Sequence, residues 1–201
     1  MFPIRPHLLT SLLIALALPV AFGLPDDPAI AALYTRGLAG DNQAVSDCIA
    51  ALEKLLLERP NDELARVYLG SAYTLRSRDL AIGPAKLSAL RKGIALMDAA
   101  AAAAPQNARV QLVRAVTNEA LPAFLGRHKI ARQQLDQLVA QVEKDPAKLT
   151  AADRQLLYLN AGESAQRAGD KERARELWRR GDALKADAKL TQEIKAMLAQ
   201  P

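Results

Sequence analysis

Helical spacing of apolar residues, cut at intervals by proline, is the feature that most limits what this chain can become. "CIAALEKLLLERP" sets Ile49, Leu52, Leu55 and Leu56 on one stripe and stops at Pro60. "LSALRKGIALMDAAAAAAP" repeats this with Leu87, Leu90, Ile94 and Met97 up to Pro105. "ARQQLDQLVAQVEKDP" repeats it again with Leu135, Leu138, Val139 and Val142 up to Pro146. Between them, Leu64, Val67, Tyr68 and Leu75, then Val110, Val113 and Val116, keep the same period. Residues three and four apart share one side of a helix. Proline lacks the N–H a helix interior needs and clashes with the preceding turn. Alternating β-branched runs and "NG" or "DG" hairpin turns are missing, so the spacing predicts an all-α chain.

The punctuation recurs. Pro60, Pro105 and Pro146 lie 45 and 41 residues apart. "RPND" and "APQN" put Asp or Asn beside the proline, and Thr150 in "LTAAD" follows "KDP" as a candidate N-cap. Aromatic residues make up only 4% of the 201, while alanine is abundant. Small side chains suit closely packed helices better than an aromatic β core.

The first 23 residues have the layout of an export signal. Arg5 charges a short leading region, and "LLTSLLIALALPVAF" is an apolar run of about 15, short for a membrane span. Small residues in "AFG" predict cleavage after Gly23, with "ALA" at 15–17 as the alternative and an uncleaved anchor as a third possibility. Residues 24–201 would then be one domain, periplasmic or secreted. No later segment is long and apolar enough to span a membrane. Losing Arg5 from 27 bases leaves 26 against 22 acids, interspersed along the chain. Such a mixed surface, in an exported protein, argues against a nucleic-acid partner. Cys48 is the only cysteine, so no intramolecular disulfide forms, and its apolar setting predicts a buried thiol.

"RQLLYLNAGESAQRAGDKERARELWRRGDAL" carries the most specific pattern. Tyr158 is followed by Ala161 and Gly162 within one helix, then by the turn "AGD", then by Ala174, Trp178 and Gly181. Leu69, Gly70 and Tyr73, with Gly93, Met97 and Ala100, give a second copy. Gly126, Ala131, Leu135 and Leu138 give half of a third, and Gly40, Val45, Ile49 and Leu52 half of a fourth. This resembles the tetratricopeptide repeat, in which a small residue in the first helix lets the second approach and a large one fills the gap to the next pair. The resemblance implies a superhelical array of about four antiparallel helix pairs, near 26–60, 61–105, 106–146 and 151–185. A last helix over 186–199 would cap the end. The second unit carries about 11 extra residues around "RSRDLAIGPAKL", and the third about five, with Pro122 either kinking a helix or starting one.

Sites of chemistry are hard to build from this sequence. Beyond the leader there is one histidine, His128, and one cysteine, far apart, so no metal-ligand cluster is spaced for binding. No G-x-S-x-G elbow and no phosphate-binding glycine loop appears, and His128 reads as a solvent-facing turn residue. Asp26 and Asp27 read as helix-start residues. Arg173, Arg175, Arg179 and Arg180 interleave with Glu172 and Glu176, and Glu176–Arg180 has the favourable i,i+4 order. These readings predict no cofactor, no metal and no enzyme.

The family resemblance implies a concave groove lined by the first helices, holding a protein or peptide segment. Transferring the family's inward-facing offsets gives Tyr34, Ser71, Thr74, Glu119, Glu163, Gln166 and Arg167. The insert from Arg76 to Leu87 would form a lip, with Arg76, Arg78 and Asp79 at the rim. The function implied is an exported adaptor. The alternatives are a small-ligand-binding accessory of a transport system, which would need an apolar pocket, and a hydrolase, which would need His128 or a carboxylate pair in a cleft. The sequence names neither the partner nor the oligomeric state.

Overall fold

The computed structural model describes residues 25–200, so the leader and its cleavage point lie outside the described residues. Among the described residues nine α-helices follow in order: α1 Pro28–Leu38, α2 Asn42–Glu58, α3 Glu63–Asp79, α4 Pro84–Ala103, α5 Ala108–Ala120, α6 His128–Lys144, α7 Ala151–Arg167, α8 Lys171–Leu184 and α9 Ala188–Leu198. The same residues contain no strand. Consecutive helices pack as antiparallel pairs, α1 with α2, α3 with α4, α5 with α6, α7 with α8. The first helices also touch each other in series, α1 to α3 to α5 to α7, and α9 closes the end against α7 and α8. The four expected pairs and the capping helix are thus present.

The caps explain the register. Asp27, Asp41, Asp62, Asn107, Thr150, Asp170 and Asp187 each precede a helix and accept a backbone N–H of its first turn. "AGD" occurs twice for a physical reason. Gly40 and Gly169 hold φ of +102° and +88°, which reverses the chain, and the following Asp starts the next helix.

The second and fourth pairs depend on a close approach that glycine permits. A Cβ on Gly70 of α3 would lie 2.6 Å from Met97 Cγ and 2.7 Å from the Gly93 carbonyl of α4. A Cβ on Gly93 would lie 2.6 Å from the Gly70 carbonyl. The two backbones therefore cross in contact, which only glycine at both positions permits. In α7, a Cβ on Gly162 would lie 2.5 Å from Trp178 Cδ1 of α8, and the indole Nε1 donates to the Leu159 carbonyl at 3.1 Å. Gly181 of α8 makes room for Ile194 of α9, which seats the cap.

Two apolar clusters result. One joins Ile30, Val45, Leu52, Tyr68, Met97 and their neighbours across α1–α4. The other joins Leu135, Leu138, Leu157, Trp178, Leu190 and Ile194 across α6–α9. Helix α5 feeds both, with Val110 and Val113 in the first and Leu112 and Ala115 in the second. The boundary between them is polar. Asp98 of α4 accepts from Arg114 at 2.8 Å and from Arg127 at 2.5 Å, and Gln134 of α6 bonds both Arg114 and Gln111. Burial alone would push the Asp98 carboxyl up, but its bonds to the Arg127 and Arg114 guanidiniums outweigh this and hold it below its ordinary value.

Two local expectations are corrected, and one alternative is decided. The extra residues of the second unit do not form a lip. They are taken up largely as helix, with α4 the longest at 20 residues, leaving only 80–83 between α3 and α4. Lys86 Nζ closes that turn by donating to the carbonyls of Ser77 and Leu80 at 2.7 and 3.0 Å. In α4 the buried stripe is Ala89, Gly93, Met97, Ala100 and Ala101, while Leu87 is half exposed, because the close crossing selects small residues over leucine. Of the two readings of Pro122, the second holds: the preceding Leu121 is extended with ψ of 154°, α5 is finished, and a short 3-10 turn, Ala123–Leu125, starts from the proline.

Gly70→Leu is expected to lower unfolding stability by about 3 kcal/mol, as overpacking a tight crossing does. A thermal or urea midpoint equal to that of the parent chain would refute the crossing. Cys48 is 1% exposed, and burial pushes its thiol up to about 11. Its alkylation at pH 8 is expected to be slow until denaturant unfolds the chain.

Candidate functional site

The first helices of the array present one continuous face, and its two halves differ. Over units one to three, Tyr34 Oη and Ser71 Oγ lie 2.6 Å apart, and Ser71 Oγ lies 3.0 Å from Thr117 Oγ1. These hydroxyls link α1, α3 and α5. Tyr34 also meets Tyr68 edge to face, with ring centroids 5.2 Å apart. Burial pushes the Tyr34 hydroxyl up to about 12, so it stays protonated and available to donate.

This half is closed. Tyr34, Ser71 and Thr74 are only 8%, 2% and 7% exposed, so they do not line an open groove as the offsets implied. Thr74 faces the α4 crossing, and its hydroxyl donates to the Ser71 carbonyl. The rim residues have separate duties. Arg78 donates to the Gly37 carbonyl at 3.0 Å and pairs with Asp79, which ties α3 to the end of α1. Arg76 is exposed on the side of Glu53 of α2. Ahead of α1, Pro25 is buried and Asp26 pairs with Arg109 of α5 at 2.7 Å, so the chain's own approach to α1 crosses to the third unit.

The other half is open. A cavity of about 360 Å³ is lined by Glu163, Gln166 and Arg167 of α7 and Met197 of α9. Behind it Glu119, 4% exposed at the end of α5, accepts from Arg167 Nη1 at 2.7 Å, and Arg167 also reaches the Glu119 carbonyl at 3.2 Å. Four of the expected residues, Glu119, Glu163, Gln166 and Arg167, therefore come together. Burial raises the Glu163 carboxyl, and the neighbouring Glu193 and Glu119 charges add to this against Arg167. The lining is three polar side chains and one methionine, which is a trough rather than an enclosed apolar pocket.

Thr117 and Met197 are the residues that sequence reasoning missed. Thr117 falls two positions from Glu119, on a helix shortened by Pro122, so the borrowed offsets pass it over. Met197 belongs to the capping helix, where the family pattern gives no offsets at all. A broader depression of about 580 Å³ beside Pro84, Leu87, Ser88, Arg91, Lys92 and Ala95 is lined by α4 alone.

Several polar groups elsewhere hold the fold together. His128 is half-buried rather than solvent-facing, with Nε2 at 2.7 Å from the Leu121 carbonyl, which staples the α5–α6 turn. Arg180 pairs with Glu176, as expected, and also with Glu143 of α6. Among the described residues no group of three His, Cys, Asp or Glu could hold a metal ion, and no helix is long and apolar enough to cross a membrane.

Removing Arg167 leaves Glu119 buried without its cation. Arg167→Met is expected to cost about 2 kcal/mol, below the full value for a buried pair because the arginine is partly exposed. Chemical denaturation checks this, with Arg167→Lys recovering part of the loss. Glu163 binds its proton more tightly folded than unfolded, so stability falls as pH rises from its ordinary value of 4.5 through the raised one. Glu163→Gln is therefore expected to melt higher than the parent at pH 7 and alongside it at pH 4.

No protein-family model and no curated protein matches the chain. A solved structure does: a thermophilic TPR protein of Thermus thermophilus is similar with a TM-score of 0.62 over 88% of this chain and 84% of that one, at 18% sequence identity. At that identity the likeness speaks for the fold. Paired helices, glycine-to-large packing and this structural match together establish that the chain has the tetratricopeptide-repeat fold.

Proposed function

We propose that the chain is an exported, non-enzymatic scaffold that holds an extended segment of another protein on the open half of its first-helix face. The fold is one suited to protein interaction. The observation that carries the proposal is the trough of Glu163, Gln166, Arg167 and Met197, the place on that face where polar side chains remain accessible. Gln166 offers an amide able to pair with a peptide backbone, and Arg167, already oriented by Glu119, can pair with carbonyls or an acidic side chain. Met197 supplies an adaptable apolar wall. The leader directs the chain out of the cytoplasm in this reading.

A photo-crosslinking residue at Gln166, compared with one at Leu57, an 86% exposed site on α2, tests this in cells. The expected outcome is a discrete crosslinked protein at Gln166 only, lost when Glu163 is replaced by Arg in a chain that still melts cooperatively. Equal products at both positions would overturn the binding face. Recovery of the folded chain from the cytoplasm alone would overturn export.

A further inference from the structure

Six large apolar side chains are exposed among the described residues, and five of them gather at one end of the array. Leu38 closes α1 and is half exposed. Ile82 stands in the α3–α4 turn, 97% exposed, and Leu87 in the first turn of α4. Phe124 stands in the α5–α6 turn, 84% exposed, and Ile130 in the first turn of α6. The end is common because the first helices run the same way. Tyr34 meets Ser71, and further along both helices Gly37 meets Arg78. Asp26 ahead of α1 meets Arg109 at the start of α5, and Thr117 near its finish meets Ser71. Leu57, the sixth, lies where α2 finishes, at the opposite end.

The same turns are basic. Residues 76–92 carry five bases and one acid, Asp79, which pairs with Arg78. Residues 121–132 carry three bases and no acid. Arg127 is bound to Asp98 and Lys92 to Glu53, while Arg76, Arg91, Lys129 and Arg132 are exposed. Asp41, the acid that follows Leu38, pairs with Arg36. The fourth turn, 168–170, has no large apolar residue, so the pattern belongs to the first three units. Ile82 and Phe124 stand on turns that project, and neither lines a groove. A rigid partner would need a pocket for each tip. A bilayer interface receives such tips wherever they fall and sets phosphates against the flanking bases.

We propose that this end of the array docks on an anionic lipid surface. Ile82 and Phe124 enter the boundary between headgroups and acyl chains, and Arg76, Arg91, Lys129 and Arg132 meet the lipid phosphates. Leu87 and Arg91 also line the depression of about 580 Å³ along α4, where an apolar wall and a cation lie together for a lipid at the edge of the contact. The trough of α7 and α9 takes no part, so the docking and the binding of a protein segment stand or fall separately.

The test places a nitrobenzoxadiazole label on Ile82→Cys, Phe124→Cys or Leu57→Cys in the folded chain, where the native Cys48 is buried. Vesicles of phosphatidylcholine with about one third phosphatidylglycerol are then added. The label is expected to brighten and shift to the blue at 82 and 124 and to stay unchanged at 57, because only the first two positions enter the bilayer. Any contact the apolar leader makes is the same in all three, so it cannot produce this difference. Arg91→Glu with Lys129→Glu is expected to raise the lipid concentration for half response at least about tenfold. Should that variant fail to melt cooperatively, pure phosphatidylcholine vesicles, expected to give a far weaker response, carry the charge comparison. No change at either turn, an equal change at 57, or an equal change on pure phosphatidylcholine would overturn the docking. Brightening without vesicles that grows with protein concentration would overturn it in favour of a second copy of the chain.

Discussion

The contact of α3 and α4 through Gly70 and Gly93 fixes the spacing on which the rest of the array depends. Two backbones in direct contact leave no room for side chains between them, so specificity comes from what stands on either side. Met97, at 0% exposure, fills the space beside Gly70, and Thr74 lies beside Gly93. The fourth unit solves the same problem differently. One glycine, Gly162, accepts the whole indole of Trp178, and the hydrogen bond to Leu159 orients the ring. In both units a hole on one helix meets a knob on its partner, and the angle between the helices follows from how completely the hole is filled.

That geometry determines what the first-helix face can offer. Where the first helices come close, short hydroxyl side chains bridge them, and Tyr34, Ser71 and Thr117 become part of the scaffold. Where α5 ends early at Pro122, its last turn carries Glu119 to Arg167, and the space beyond opens. The closed and open halves therefore trace to helix length and side-chain reach.

Much of this is legible in the amino-acid sequence. Helix ends can be read because Asp, Asn and Thr caps and the Gly of "AGD" act through local backbone geometry, which neighbours do not alter. Gly70, Gly162 and Trp178 can be read because close packing needs their sizes at fixed offsets. The 76–87 segment suggests a lip and forms helix instead, because added residues can lengthen two helices as easily as a loop, and nothing local decides between these. Ser71 and Thr74 sit on the expected helix but not on an open surface, since burial there is imposed by neighbouring units. Glu163, Gln166 and Arg167 come together because they follow Gly162 on α7, a position the packing fixes, and Glu119 joins them through its bond to Arg167.

The polar boundary between the two apolar clusters has a further consequence. Asp98, Arg114, Arg127 and Gln134 join the halves through hydrogen bonds that water can replace at modest cost, whereas each half is internally sealed by apolar contact. In a linear array, cooperativity is transmitted only between neighbours. The weakest link then sets where it breaks, so α1–α4 and α6–α9 are natural foldons with α5 as the hinge strip between them.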